Sequence, residues 1–161
     1  MESGGKLFHR ASGSGTSYWG PGDVYTFLVT GEESGGAYFA MEAIVPAGGG
    51  PPWHIHQNEN ETFHVLDGTC TFYLDGETIL AGPGDFVNIP IGAKHHFHNH
   101  GPEPTRMILT FTPAGIEKFF EETLDVATDL TQPPPDNVAE VSARYAEAAP
   151  RFGMQFFLDE E

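Results

Sequence analysis

The chain has 161 residues, 39% of them hydrophobic, and a formal net charge of −16. This length is typical of one domain with a single core, and no apolar run reaches the roughly 20 residues that a membrane-spanning helix needs. Seven Lys and Arg against 23 Asp and Glu leave no clustered cations for phosphate contacts. The sequence therefore predicts a single domain with neither nucleic acid nor a membrane as partner.

The N-terminal residues and the cysteine usage predict a cytoplasmic protein. Residues 1–15 are polar and contain neither the apolar stretch nor the cleavage site of a signal peptide. The single cysteine, Cys70, has no partner for an internal disulfide, which suits a reducing compartment. We interpret Cys70 as a small apolar residue of a strand.

Taken in chain order, residues 1–22 are rich in Gly and Ser and predict a flexible arm. Aromatic and β-branched residues between turn residues then predict short strands. Two pairs, Asp67-Gly68 and Asp75-Gly76, predict type I′ hairpin turns, because both central positions of that turn need positive φ. We therefore expect an all-β sandwich or barrel over residues 23–113, with strands at 24–30, 37–45, 61–66, 69–74, 77–80, 85–89, 95–99 and 105–112.

The pattern changes after Pro113. Apolar residues at helical spacing predict one helix over 115–130 and a second over 137–148, for which Asp136 is the expected N-cap. Three consecutive prolines separate the two helices. The apolar tail 152–158 is expected to pack back on the barrel, so residues 114–161 are predicted to form a short helical extension.

Histidines are concentrated in the middle of the chain, where seven of the eight lie between residues 54 and 100. His54 and His56 are two residues apart, so in a strand both imidazoles point to the same face. Glu61 begins the next strand, and a further histidine follows about forty residues later. Three imidazoles and one carboxylate would suit one divalent transition metal per chain, namely Fe, Mn, Co, Ni or Zn.

The spacing of these residues resembles the two motifs of the cupin family. The first motif matches Gly48, His54, His56, Glu61 and Gly68, and the second matches Gly84, Pro90, Gly92, His95 and Asn99. All ten template positions match without any adjusted gap. The resemblance covers roughly residues 24–113 and implies a double-stranded β-helix, or jelly-roll barrel, with His54, His56, Glu61 and His95 as metal ligands.

A second similarity is to the small single-domain cupins related to bacterial quercetin 2,4-dioxygenases. It rests on the segment 83–86 and on residues 112–121, which follow the barrel. This resemblance implies cleavage of a flavonol-like enol by O₂, with Glu61 doubling as the catalytic base. It also implies a homodimer, since such relatives commonly pair through their N-terminal strands.

Neighbouring residues compete for two of the ligand positions. Glu59 is expected to lie solvated in a turn, whereas Glu61 begins an inward alternation. Of the dense group after Lys94, only His95 fits the motif. We expect the remaining histidines to point outward, because alternate residues of a strand face opposite sides; they are His64, His96, His98 and His100.

The distribution of positive charge bears on the substrate. No Lys or Arg occurs from residue 11 to residue 93, which supplies most of the barrel wall, and Lys94 and Arg106 alternate outward. Because anionic substrates are normally held by Arg or Lys, we expect a neutral, enolisable and aromatic small molecule. Two alternatives stay open: a metal-dependent isomerase or lyase that does not use O₂, and a binding or sensing module without turnover.

Overall fold

The computed structural model describes residues 4–160. Residues 1–3 of the predicted arm and residue 161 of the predicted extension lie outside the described part. The strands are β1 (Ser17–Trp19), β2 (Val24–Val29), β3 (Phe39–Val45), β4 (Trp53–His56), β5 (Asn60–Asp67), β6 (Cys70–Leu74), β7 (Glu77–Ala81), β8 (Phe86–Ile89), β9 (His95–His98), β10 (Thr105–Thr112), β11 (Asp125–Val126) and β12 (Met154–Phe157). The helices are α1 (Gly31–Ser34), α2 (Glu117–Thr123) and α3 (Val138–Ala148), the last followed by a 3-10 turn, Ala149–Phe152.

The strands form two antiparallel sheets. The larger has seven strands in the order β11-β1-β2-β3-β10-β5-β8, and the smaller has five in the order β12-β4-β9-β6-β7. Consecutive strands such as β5 and β6 lie in different sheets, so the chain crosses between the layers as it does in a jelly roll. The predicted all-β jelly-roll fold with short C-terminal helices is confirmed. Among residues 4–160, no helix has both the length and the apolar character to cross a membrane.

Alternation along the strands places the core between the two sheets. On β10 the buried residues alternate with more exposed ones, and β5 shows the same alternation beside it. Fully buried side chains from both sheets meet in the middle, among them Phe63 of β5 and Phe72 of β6, whose ring centroids are 4.8 Å apart. At the other end of the core, Phe39 stacks on Phe111 at 5.7 Å.

Only one of the two Asp-Gly pairs forms the predicted hairpin. Asp75 and Gly76 both have positive φ, 47° and 80°, and they connect the paired strands β6 and β7. Asp67 instead ends β5, and Gly68, with a φ of 75°, begins the crossing to β6 in the other sheet. The hairpin prediction for Asp67-Gly68 was wrong because its flanking strands pair with other strands, a long-range choice that a dipeptide does not encode.

Both ends of the chain contribute more β-structure than the sequence predicted. Strand β1 lies inside the predicted arm, where it pairs with β2 on one side and with β11 on the other. The helix predicted over 115–130 is therefore shorter, since α2 ends at Thr123 and the chain turns extended at Leu124. Pairing with the free edge of β1, as in the pair Tyr18–Val126, replaces the last helical turns.

The C-terminal tail packs back on the barrel as a strand. Strand β12 pairs with β4 in the register Met154–His56 to Phe157–Trp53. The tail therefore covers the edge of the strand that carries the His-x-His pair, and it does so with backbone hydrogen bonds as well as apolar contacts.

Two glycines with nearly equal φ offer a matched test of packing at the sheet crossing. A Cβ at Gly68 would lie 2.7 Å from the carbonyl oxygen of Pro104, whereas a Cβ at Gly76 meets nothing within 4 Å. We expect Gly76→Ala to cost about 1 kcal/mol, from left-handed strain alone. Gly68→Ala carries the same strain plus the clash, and should cost about 3 kcal/mol or more.

The comparison is made by urea unfolding of the two metal-free variants beside the wild type. Equal losses of unfolding free energy in the two variants would show that the crossing tolerates the extra atom, and would contradict the close packing of Gly68 against Pro104.

Candidate metal centre

Three strands from two sheets bring the predicted ligands together. His54 and His56 alternate with Trp53 and Ile55 on β4, and both histidines are buried. His95 opens β9 and is the register partner of His54 in the five-stranded sheet. Glu61 reaches the same point from β5 of the opposite sheet. Each of the four residues offers a ligand atom, and these atoms lie within 4.8 Å of one another.

Backbone carbonyls fix the orientation of two of the rings. The Nδ1 atom of His54 donates to the carbonyl oxygen of Pro52 at 2.9 Å, and the Nδ1 atom of His95 donates to that of Ala93, also at 2.9 Å. A ring whose Nδ1 carries a proton presents Nε2 for other partners. Both rings therefore turn their Nε2 atoms toward the centre, as metal-ligating histidines do.

The Glu61 carboxylate is the negative end of the cluster. Its Oε2 lies 2.9 Å from Nε2 of His95 and 3.2 Å from Nε2 of His56. Burial by itself would raise the pKa of Glu61, but the charge and hydrogen bond of His56 and the hydrogen bond of His95 hold it well below its usual range. Glu61 is therefore ionised at neutral pH.

The surroundings shift the pKa values of His95 and His54 in opposite directions. Burial lowers the pKa of His95, but the hydrogen bond and charge of Glu61 outweigh burial and raise it. Burial and the neighbouring His95 and His56 lower the pKa of His54 to about 3. Without a metal, Glu61 thus favours the protonated form of His95, whereas burial and the neighbouring imidazoles favour the neutral form of His54.

This donor set fits a divalent cation. A buried carboxylate and three imidazoles supply one oxygen and three nitrogen ligands, a mixed set that suits the borderline and harder transition metals. We conclude that these four side chains could hold a metal ion, and the ligand assignment made from the sequence stays a prediction.

Glu59 does not lie where the sequence placed it. It is 5% exposed rather than solvated, and burial raises its pKa. Its Oε2 lies 3.7 Å from Nδ1 of His56, and within residues 4–160 neither atom has a hydrogen-bond partner. A carboxyl group behind a ligating imidazole can fix that ring's orientation. In the sequence, the one signal that Glu59 could orient the His56 ring is its spacing from Glu61, since two side chains at positions i and i+2 can both face inward.

The other histidines of the dense group point away from the centre. His96 stacks on Tyr73 with ring centroids 4.5 Å apart and contacts Trp53 at 4.3 Å. His100 Nε2 lies 2.9 Å from the Tyr73 hydroxyl, and the rings of His98 and His100 are 4.3 Å apart. These contacts form an aromatic cluster on the outer face of the five-stranded sheet, where the sequence predicted these side chains.

Two adjoining cavities lead to the centre. The inner cavity, about 50 Å³, is lined by three of the four predicted ligands together with aromatic side chains such as Phe97 and Phe111. The outer cavity, about 150 Å³, shares with it the residues Tyr25, Pro51, Tyr145 and Phe156. No Lys or Arg of the described chain lines either cavity.

The two cations nearest the ligands in sequence lie outside, as predicted. Arg106 is exposed and pairs with Glu42 at 3.2 Å. Lys94 lies over the rings of Trp53 and Phe157 and pairs with Glu160.

Comparison with known proteins identifies the class. Residues 41–111 match the family model described as the cupin domain. The chain is 33% identical over 150 residues to a quercetin 2,3-dioxygenase of Bacillus subtilis, covering 92% of this chain and 44% of that protein. It is 32% identical over 92 residues to the polyketide synthase CurC of Streptomyces cyaneus, covering 57% of this chain and 60% of that protein.

A solved structure gives the same fold at lower identity. KdgF from Halomonas superposes with a TM-score of 0.60 at 18% identity, covering 70% of this chain and 98% of that one. The family match, the curated relatives and the jelly-roll fold agree, and the chain belongs to the cupin superfamily. The chain spans only 44% and 60% of the two curated relatives' lengths.

Strand alternation makes a sharp test of the ligand set. His95→Ala removes an inward imidazole and should weaken metal binding by at least about 100-fold. His96→Ala removes an outward ring one residue along the strand, and the metal affinity should stay within about threefold of the wild type. Both affinities are measured by calorimetric titration of metal-free protein with Zn²⁺ near neutral pH. If His96→Ala is the damaging substitution, the assignment of inward residues on β9 is wrong.

Proposed function

We propose that the protein is a metal-dependent dioxygenase that uses O₂ to cleave a neutral, enolisable aromatic substrate of the flavonol type. The observation that carries this proposal is the position of the buried centre of His54, His56, Glu61 and His95 beneath an aromatic and apolar cavity, which no Lys or Arg among residues 4–160 lines. In the reaction, both atoms of O₂ enter the products and a carbon–carbon bond of the enolised ring breaks.

The cavity wall supports a neutral substrate. Carboxylates and phosphates are usually held by a bidentate Arg or by a Lys, and Arg106 and Lys94 face away from both cavities. A planar ring gains apolar contact area against side chains such as Phe111 and Phe156. An anionic substrate would find no positive side chain there to offset the loss of its hydration.

The relatives support the same substrate class. One is named for quercetin, which is a hydroxylated flavonol, and the other is named a polyketide synthase. The identity to the Bacillus protein extends over 92% of this chain, so it includes segments beyond the cupin domain. Because the chain spans less than half of that protein, the activity of the whole relative is carried over as a proposal.

Glu61 has the central catalytic role in this proposal. The carboxylate is ionised and buried, and its Oε2 lies 2.9 Å from Nε2 of His95 and 3.2 Å from Nε2 of His56. A substrate hydroxyl placed in the inner cavity would give its proton to Glu61, which leaves the substrate as an enolate. A bound divalent metal would polarise the enolate oxygen and help to neutralise its charge. His54 and His95 keep their ring orientation through the carbonyls of Pro52 and Ala93.

The walls of the cavity would exclude water and orient the ring. Phe97 and Phe111 are almost fully buried beside the centre, so a bound aromatic molecule displaces solvent from the reacting atoms. Exclusion of water strengthens the electrostatic interactions that stabilise an enolate. The predicted homodimer is part of the proposal.

Oxygen uptake distinguishes this proposal from its alternatives. We expect metal-loaded protein to consume O₂ with flavonols and related hydroxy-aromatics, and to be silent with oxalate, thiol amino acids and sugar phosphates. The measurement is an oxygen-electrode assay with product analysis. Turnover of an anionic panel member while the aromatic compounds stay silent would contradict the proposal. Turnover of an aromatic compound without O₂ uptake would favour an isomerase or lyase.

Two matched variants sharpen the assay. Glu61→Gln removes the proposed base and should lower the rate by about 100-fold or more, whereas Glu42→Gln, on the outer surface, should leave it unchanged.

Arg106→Ala should leave KM unchanged, because the guanidinium pairs with Glu42 outside the barrel. A large rise in KM for Arg106→Ala would place a cation in the substrate's path and contradict the neutral-substrate assignment.

A further inference from the structure

The outer cavity carries a buried polar group that the proposed reaction at Glu61 does not use. Asp23 precedes β2, is 3% exposed and lines this cavity. Its Oδ2 accepts a hydrogen bond from the Tyr25 hydroxyl at 2.9 Å. Tyr145, on α3, lines the same cavity beside them.

Two atoms of this group have no hydrogen-bond partner. Within residues 4–160, neither Oδ1 of Asp23 nor the hydroxyl of Tyr145 is hydrogen bonded, and both atoms are buried. An unpaired buried polar atom costs folding free energy, so such atoms are rare and usually serve a ligand or an ordered water. The two residues that carry these atoms, Asp23 and Tyr145, both line one small cavity of about 150 Å³.

The surroundings select a neutral ligand. Burial raises the pKa of Asp23 to about 7, and the hydrogen bond from Tyr25 offsets only part of that shift. No Lys or Arg of the described chain lines the cavity, and the other walls include Pro21, Val138 and Phe156. An anion would meet a carboxyl group with no cation to compensate, so the matching ligand group is one that both donates and accepts a hydrogen bond without a charge.

The cavity that Asp23 and Tyr145 line adjoins the cavity in which the proposed substrate would react. The outer cavity shares Tyr25 and Tyr145 with the inner cavity at the predicted metal ligands. The inner cavity, at about 50 Å³, is too small for a fused and substituted aromatic system. A substrate with its reacting oxygen at Glu61 must therefore extend its distal ring into the outer cavity, toward Asp23 and Tyr145.

We propose that Asp23 and Tyr145, with Asp23 oriented by Tyr25, recognise a hydroxyl group on the distal ring of the substrate and so select hydroxylated over deoxygenated aromatic molecules. This inference rests on the proposed function, since it assumes an aromatic substrate at the inner centre. The ligand hydroxyl donates to Oδ1 of Asp23 and accepts from Tyr145.

The recognition group belongs to parts of the chain outside the common cupin domain. Asp23, Tyr25 and Tyr145 all lie outside the residues 41–111 that match the family model. Tyr145 is supplied by the C-terminal extension, and Asp23 by the segment between β1 and β2. The hydroxyl selectivity therefore rests on residues outside the matched cupin segment, whereas the four candidate metal ligands lie within it.

The test is equilibrium binding of a matched ligand pair to the full-length Zn²⁺-loaded protein under anaerobic conditions. The pair is a flavonol with a hydroxyl on its distal ring and the same flavonol without that hydroxyl. We expect the wild type to prefer the hydroxylated ligand by about tenfold, and Tyr145→Phe and Asp23→Asn to reduce that preference to about twofold or less. The affinity for the deoxygenated ligand should change little, which a general structural defect would not produce.

Two control variants remove a tyrosine hydroxyl and an aspartate carboxylate at exposed positions. Tyr38→Phe and Asp136→Asn change exposed residues and should retain the full preference. A wild-type preference that both cavity variants retain would overturn this inference and leave the proposed function intact. Preference for a distal aminomethyl group, which is protonated near neutral pH, over a distal hydroxyl would overturn the hydroxyl assignment in favour of a cation. If neither flavonol binds the wild type, both this inference and the proposed function fail.

Discussion

A single buried carboxylate, shared between two imidazoles, is the interaction on which the interior of this barrel depends. Glu61 comes from the seven-stranded sheet, while His56 and His95 come from the five-stranded sheet, so the cluster joins the two layers. An isolated carboxylate in this position would cost several kcal/mol of desolvation, and its ionised state is stable only because both rings are close. The geometry that satisfies Glu61 is thus the geometry that assembles the four candidate ligands.

Most of the fold was predictable from local periodicity in the sequence, whereas the four candidate ligands were assigned from the resemblance to the cupin motifs, an assignment that stays a prediction. Alternation along a strand separates His95 from His96, and the burial pattern of β9 confirms that separation. The errors have a common physical origin in long-range pairing. The sheet crossing at Gly68, the pairing of β1 with β11, and the burial of Glu59 all depend on which distant segment lies alongside, and a local pattern does not specify that choice.

The segments after the matched cupin domain pack around the candidate metal centre. Strand β12 covers the edge of β4, which carries His54 and His56, and α3 brings Tyr145 to the cavity that adjoins the centre. The barrel thus positions the buried cluster of candidate ligands, while α3 and β12 line the adjoining cavity. Under the proposed function, selectivity among aromatic substrates would depend on these extensions, whereas the arrangement of His54, His56, Glu61 and His95 would not.

The most direct test of this account is the metal stoichiometry of full-length protein made without an affinity tag. Metal-free protein is titrated in turn with Fe²⁺, Mn²⁺, Ni²⁺ and Zn²⁺, and the bound metal is counted by elemental analysis. The account predicts about one metal per chain near neutral pH. It also predicts an affinity that falls as the pH is lowered, because the metal must displace the proton that Glu61 stabilises on His95. Protein that stays metal-free with all four ions, or an affinity that does not change with pH, would contradict it.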